Sequence, residues 1–184
     1  TKINTGDLVA IPFTGSGLGD TPVWESAKRM DLVTWDNRKI MTWDRVNHVG
    51  IPFRPGSLNT AQRAVFIDDP MSSVAQQNTD VTLRVNYLRG DSTYERPVGN
   101  FRERPTVQGR LGDIVHSSPI FVGSPARVGR NQSPYPQAEL YSTFAVEHLN
   151  RQDVLYVSAN DGMLHGFNAD TGSEIFAYLP DNLM

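Results

Sequence analysis

Between Leu155 and Pro180 the chain reads as three short strands joined by two tight turns, the stretch that says most about its fold. Leu155 to Ser158 alternates like a half-buried strand, and Asn160-Asp161-Gly162 supplies residues that tolerate positive φ in a hairpin. Met163 to Asn168 returns, Asp170-Thr171-Gly172 turns again, and Ile175 to Leu179 runs until Pro180 stops it. Such a meander is the repeating unit of a β-propeller blade. A blade cannot bury both of its faces alone, so the pattern predicts neighbouring sheets.

The remainder of the chain is β-rich with helical interruptions. Asp7–Phe13, Pro22–Ser26, Arg38–Trp43 and Val49–Phe53 are four candidate strands, separated by turn residues and spaced as in an antiparallel blade. Glu25 to Leu32 can form a short helical turn. From Ser57 the period changes. Ser57 or Asn59 caps a short helix holding Ala61, Ala64, Val65 and Phe66. A second helix is predicted from Ser72 through Leu88, with Val74, Val81, Val85 and Leu88 near helical spacing. Arg102 to Asp113 is polar and turn-rich, Ile114 to Val122 returns to strand, Gly123 to Gln137 is a Pro-bearing surface loop, and Leu140 to Leu149 reads as helix. The fold class is therefore mainly β: a partial β-propeller of about two blades with helical insertions. Residues 1–56 form its β-rich first blade, 57–110 a helical and loop insertion, and 111–184 a strand, loop, helix and blade. A closed ring typically needs about four to eight blades. The chain starts at Thr1 without methionine and stops at Met184, just after a blade strand. The expectation is a piece of a longer polypeptide, with the rest of the propeller supplied by missing chain or by another copy.

Composition narrows the function. With 39% hydrophobic and 20% charged residues, the chain is that of a folded protein rather than a disordered one. Its net charge of −3 and lack of a basic run argue against nucleic acid as a partner. No stretch approaches the roughly 20 apolar residues of a membrane helix. Without cysteine there is neither a disulfide framework nor a thiolate metal site, and the compartment stays open.

Tyr156 through Gly172 and the preceding Leu111-Gly-Asp-Ile-Val-His-Ser-Ser-Pro-Ile-Phe-Val-Gly123 together carry a resemblance. So do Tyr87-Leu-Arg-Gly-Asp91, Arg102 and Arg104, the opening Gly6-Asp-Leu-Val-Ala10, and Trp35 through Ile40. In this order they resemble the C-terminal propeller of the PilY1/PilC family, type IV pilus biogenesis factors and tip-associated adhesins. The resemblance implies a non-enzymatic protein of the cell envelope or exterior (pilus tip, outer membrane or periplasm) that supports pilus assembly, retraction control and attachment. Its implied partners are minor pilins and the pilus tip complex, with host-cell or surface receptors beyond. The blade motif alone is less specific, since it also resembles quinoprotein dehydrogenases and outer-membrane assembly propellers; in all of these such residues serve the fold.

Candidate sites are few. Arg89-Gly90-Asp91 on an exposed tip could bridge an acidic partner and a metal ion; equally, Gly90 can end the Ser72–Leu88 helix, with Arg89 favourable at the negative end of its dipole. Helix-end chemistry favours the second reading. The loops at Gly15–Pro22 and Gly123–Gln137 are further candidate contact elements. Calcium is the cofactor the resemblance implies. No Asp-x-Asp-x-Asp-Gly run exists here, and Asp68 and Asp69 are adjacent, which is the wrong spacing for alternate oxygen donors. The expected calcium site therefore lies outside this chain. His48, His116, His148 and His165 are scattered with no zinc spacing, and Ser117 and Ser118 lack a nucleophile elbow. Gly15-Ser-Gly-Leu-Gly19 leads to Asp20-Thr-Pro22 rather than to a helix, so it reads as a hairpin loop.

Overall fold

The structure, a computed structural model, describes residues 5–125, 131 and 140–184. The blade forms as its turn residues dictate. Strands β8 (Val154–Ser158), β9 (Leu164–Asn168) and β10 (Glu174–Tyr178) pair antiparallel, with Gly162 and Gly172 at positive φ in the two turns. In the second turn the Asn168 side-chain oxygen accepts from the backbone N–H of Asp170 and Thr171 at 2.8 and 2.9 Å. β7 (Ile120–Val122) adds antiparallel to β8, completing a four-stranded meander. Helix α4 (Tyr141–Glu147) lies between β7 and β8 in sequence.

The N-terminal strands depart from expectation. They pair antiparallel two by two rather than as one four-stranded blade. Pro12 interrupts the first, leaving β1 (Val9–Ala10) and β2 (Phe13–Thr14). β1 pairs with β4 (Trp24–Glu25), and β2 with β3 (Gly17–Leu18) as a small hairpin. β5 (Ile40–Asp44) and β6 (Val49–Pro52) instead join the blade, β5 running parallel to β10. The result is one six-stranded sheet in the order β6-β5-β10-β9-β8-β7. The architecture is mainly β with helical insertions, and its open sheets are those of a partial propeller.

Three further helices pack near this sheet. α1 (Ser26–Asp31) is capped from a distance: the Asp7 carboxylate accepts from Ala27 N–H at 2.9 Å and from the Ser26 hydroxyl at 3.0 Å. α2 (Thr60–Ala64) starts at Asn59, which forms a reciprocal capping box with Gln62. α3 (Val74–Arg89) starts at Ser73 and ends at Gly90, whose φ of 114° belongs to the left-handed region.

Register defines the buried face. Val157, His165, Ala177 and Ile40 stand side by side across β8, β9, β10 and β5, each at most 2% exposed. At one end of this row Val157 and Phe167 join Met30 of α1 and Leu111. At the other, Ile40 and Ala177 join Phe53, Leu58, Phe66, and Val81 and Val85 of α3. A titratable side chain, His165, thus sits between two apolar clusters.

Candidate functional site

Burying an imidazole in that row requires partners for both ring nitrogens. The two blade turns provide them. His165 Nδ1 lies 2.8 Å from Glu174 Oε1, at the start of β10, and Nε2 lies 3.0 Å from Asp161 Oδ2, in the β8–β9 turn. Arg38, just before β5, closes the chain with a bidentate pair: Nε and Nη2 donate to the two Glu174 oxygens at 2.7 and 2.8 Å. Arg38 Nη1 donates to the Arg89 carbonyl at 2.8 Å, tying in the end of α3. Burial opposes charge on His165, but the hydrogen bonds to Asp161 and Glu174 outweigh it and raise its pKa to about 9. Glu174 shows the converse: burial pushes it up, while Arg38 and His165 hold it down at about 2. The quartet is therefore two cations against two anions at neutral pH. With both nitrogens donating, His165 has no lone pair to act as a base. It is a fixed charge that locks β5, β9, β10 and the β8–β9 turn together.

Arg89 extends the same logic. Its side chain is 1% exposed and donates to the backbone carbonyls of Phe53 at 2.9 Å, Asp36 at 2.9 Å and Arg38 at 3.1 Å. Gly90 is buried beside Trp35 and Arg110, and Asp91 caps the backbone N–H of Thr93. Arg89-Gly90-Asp91 is a helix end rather than a projecting tip, because the guanidinium is spent inside the molecule. The Gly15–Pro22 segment contains the turn of the β2–β3 hairpin, where Phe13 and Leu18 face solvent at 84% and 72% exposure. The Gly123–Gln137 loop lies largely outside the described residues.

Asp161 also borders a cleft of about 740 Å³. One wall carries Tyr87, Arg96, Arg102 and Arg104; the other carries Gly112, Asp113, Asn160 and Asp161. The first wall is built rigidly. Glu95, 6% exposed, accepts from Arg104 Nε at 2.6 Å and from its backbone N–H at 2.8 Å. Arg104 then donates to the carbonyls of Tyr87 and Asp91 and lies 4.4 Å over the Tyr87 ring, which packs on Phe101 at 4.7 Å. On the second wall, Asn160 N–H donates to the Asp113 carbonyl at 2.8 Å.

Among the described residues no group of three or more His, Asp or Glu could hold a metal ion. Asp68 is paired with Arg84, Asp69 caps Met71, and Asp161 is pinned by His165, so these acids do not fit a calcium loop. Nor, among them, is any helix long and apolar enough to cross a membrane.

Residues 111–184 match the family model of the PilY1 beta-propeller domain. The similarity continues upstream of them. A type IV pilus biogenesis factor PilY1 homolog of Xylella fastidiosa (strain Temecula1) is 47% identical over 176 residues, covering 95% of this chain and 13% of that protein. The chain is of the PilY1 type. The type IV pilus biogenesis factors PilY1 of Pseudomonas aeruginosa strains UCBPP-PA14 and PAK are 33% and 37% identical, each over 95% of this chain and 15% of their own length. This PilY1-type chain thus spans 13–15% of the length of the curated relatives named here. No solved structure matches it.

Sequence reading left the buried quartet unassembled, although it named His165 and placed Asp161 in a turn. Its one legible signal is alternation: His165 and Glu174 fall at or beside strand positions that the blade pattern turns inward, where charge requires a partner.

Proposed function

We propose that this chain is a rigid, non-enzymatic propeller segment of a type IV pilus biogenesis factor acting at the cell envelope or outside the cell. The observation that supports it is similarity along 95% of the chain to proteins bearing that name. In this reading the segment supports pilus assembly and retraction control, with minor pilins and the tip complex as partners. It also mounts loops for attachment to surfaces or host receptors. The β2–β3 hairpin, with its exposed Phe13 and Leu18, suits a contact element. The buried quartet suits a mount, since it fixes the strands from which such loops project. Calcium belongs to other blades of the intact protein.

The test is deletion of the parent gene followed by complementation with the wild-type gene or with a Phe13→Ser, Leu18→Ser variant. Surface pili, twitching and attachment should fall on deletion and return with the wild-type gene. The variant should restore pili but not full attachment. Unchanged pili, twitching and attachment after deletion would sink the reading.

A further inference from the structure

We infer that the cleft between Arg102 and Asp113 binds an extended acidic polypeptide segment, its carboxylates engaged by Arg96 and Arg102. These two arginines flank the Glu95–Phe101 bridge, are exposed, and have no side-chain partner among the described residues. Most other described guanidinium groups are committed, Arg38 and Arg84 to carboxylates, Arg89 to backbone carbonyls and Arg54 to both, while Arg29 on α1 is unpaired among the described residues but stands outside the cleft. The loop that carries the free pair is fixed by Glu95, Arg104, Tyr87 and Phe101, so its geometry needs no ligand to form. Binding there orders the two arginine side chains but no loop backbone.

The opposite wall selects the class of ligand. Asp161 is neutralised by His165, whereas the Asp113 carboxylate has no partner among the described residues and can accept backbone N–H groups. Asp113 and Glu103 disfavour a nucleic acid, whose phosphates would run beside them. The volume lies within the range of ligand pockets, about 300–1,000 Å³, and far exceeds what a single small anion fills. A peptide can satisfy both walls, with carboxylates on one and amides on the other.

The experiment uses the intact protein and a fluorescein-labelled peptide of alternating Asp and Gly, read by anisotropy, with the Asn-Gly analogue as comparison. Expected is binding at least about tenfold tighter for Asp-Gly, lost in Arg96→Gln, Arg102→Gln and retained in Arg29→Gln, which removes an equal type of charge elsewhere. Equal binding of the Asn analogue overturns the proposal. So does an equal loss in Arg29→Gln, or displacement by inorganic phosphate at equivalent charge, which marks a small-anion site. Peptide-induced hydrogen-exchange protection of residues 94–104 in the wild-type protein is a readout that needs no variant; its absence also overturns the proposal.

Discussion

At the scale of residues, the His165 quartet sets a pH window. The folded pKa of His165, about 9, lies above its ordinary 6.5. Its contribution is therefore complete below 6.5 and disappears as pH rises through 9, amounting to about 3 kcal/mol at most. Glu174 runs the other way: its contribution is complete above its ordinary 4.5 and is lost as pH falls through about 2. Thermal unfolding of the intact protein followed against pH should show this segment's midpoint decline from the near-neutral range into the alkaline range. His165→Gln should flatten that decline. Glu174→Gln is harsher, because it strips Arg38 and His165 of their common counter-ion while both remain buried. A loss of about 3–5 kcal/mol is expected, measurable by urea denaturation. An exposed pair such as Arg54–Asp36 should cost under about 1 kcal/mol when broken.

Elements divide into those whose cause is local and those whose cause is not. Asn59, one of the two caps expected, starts the short helix, and Gly90 ends the long one as expected, while that helix begins at Val74 behind Ser73 rather than at Ser72. The blade turns are equally legible, since Gly162 and Gly172 stand where positive φ is needed. The break of the first strand at Pro12 has a local cause that the strand reading passed over, whereas the parallel joining of β5 to β10 and the capping of α1 by Asp7 were not legible. Each of these two depends on a residue far away in sequence, and a period of two says nothing about which strand lies alongside. The same holds for the candidate site, where Arg38 meets Glu174 across 136 positions. Two substitutions probe the local causes. Gly90→Ala forces an L-residue into the left-handed region and should cost about 1–2 kcal/mol, read from denaturation midpoints. Gly172→Ala should cost more, because the new Cβ would lie 2.5 Å from the Trp24 ring; a shift in tryptophan emission should accompany it.

For the whole molecule, the two faces of the sheet are unequal. Opposite the buried row, Ile120, Tyr156 and Phe176 lie on one surface, with the Tyr156 and Phe176 rings 6.0 Å apart over Gly166. Ile120 is 63% exposed on that surface, and on the neighbouring strand Met41 and Trp43 are 43% and 39% exposed. An apolar sheet surface of this kind favours association. The 184-residue segment expressed alone should therefore self-associate, and Ile120→Lys with Met41→Lys should reduce that in light scattering. No effect of the two substitutions would mean that association runs through the sheet edges instead.

The parallel contact between β5 and β10 also imposes an order in time. Ile40 meets Ala177, roughly 140 residues further along the chain. At about 5–20 residues per second, the ribosome needs on the order of ten seconds to deliver the second strand after the first. Through that interval the β5–β6 hairpin has an open edge and Arg38 has no carboxylate. Closure of this sheet is thus a late step that no local turn can hasten, and a nascent chain halted before Glu174 would hold half a sheet with nothing to complete it.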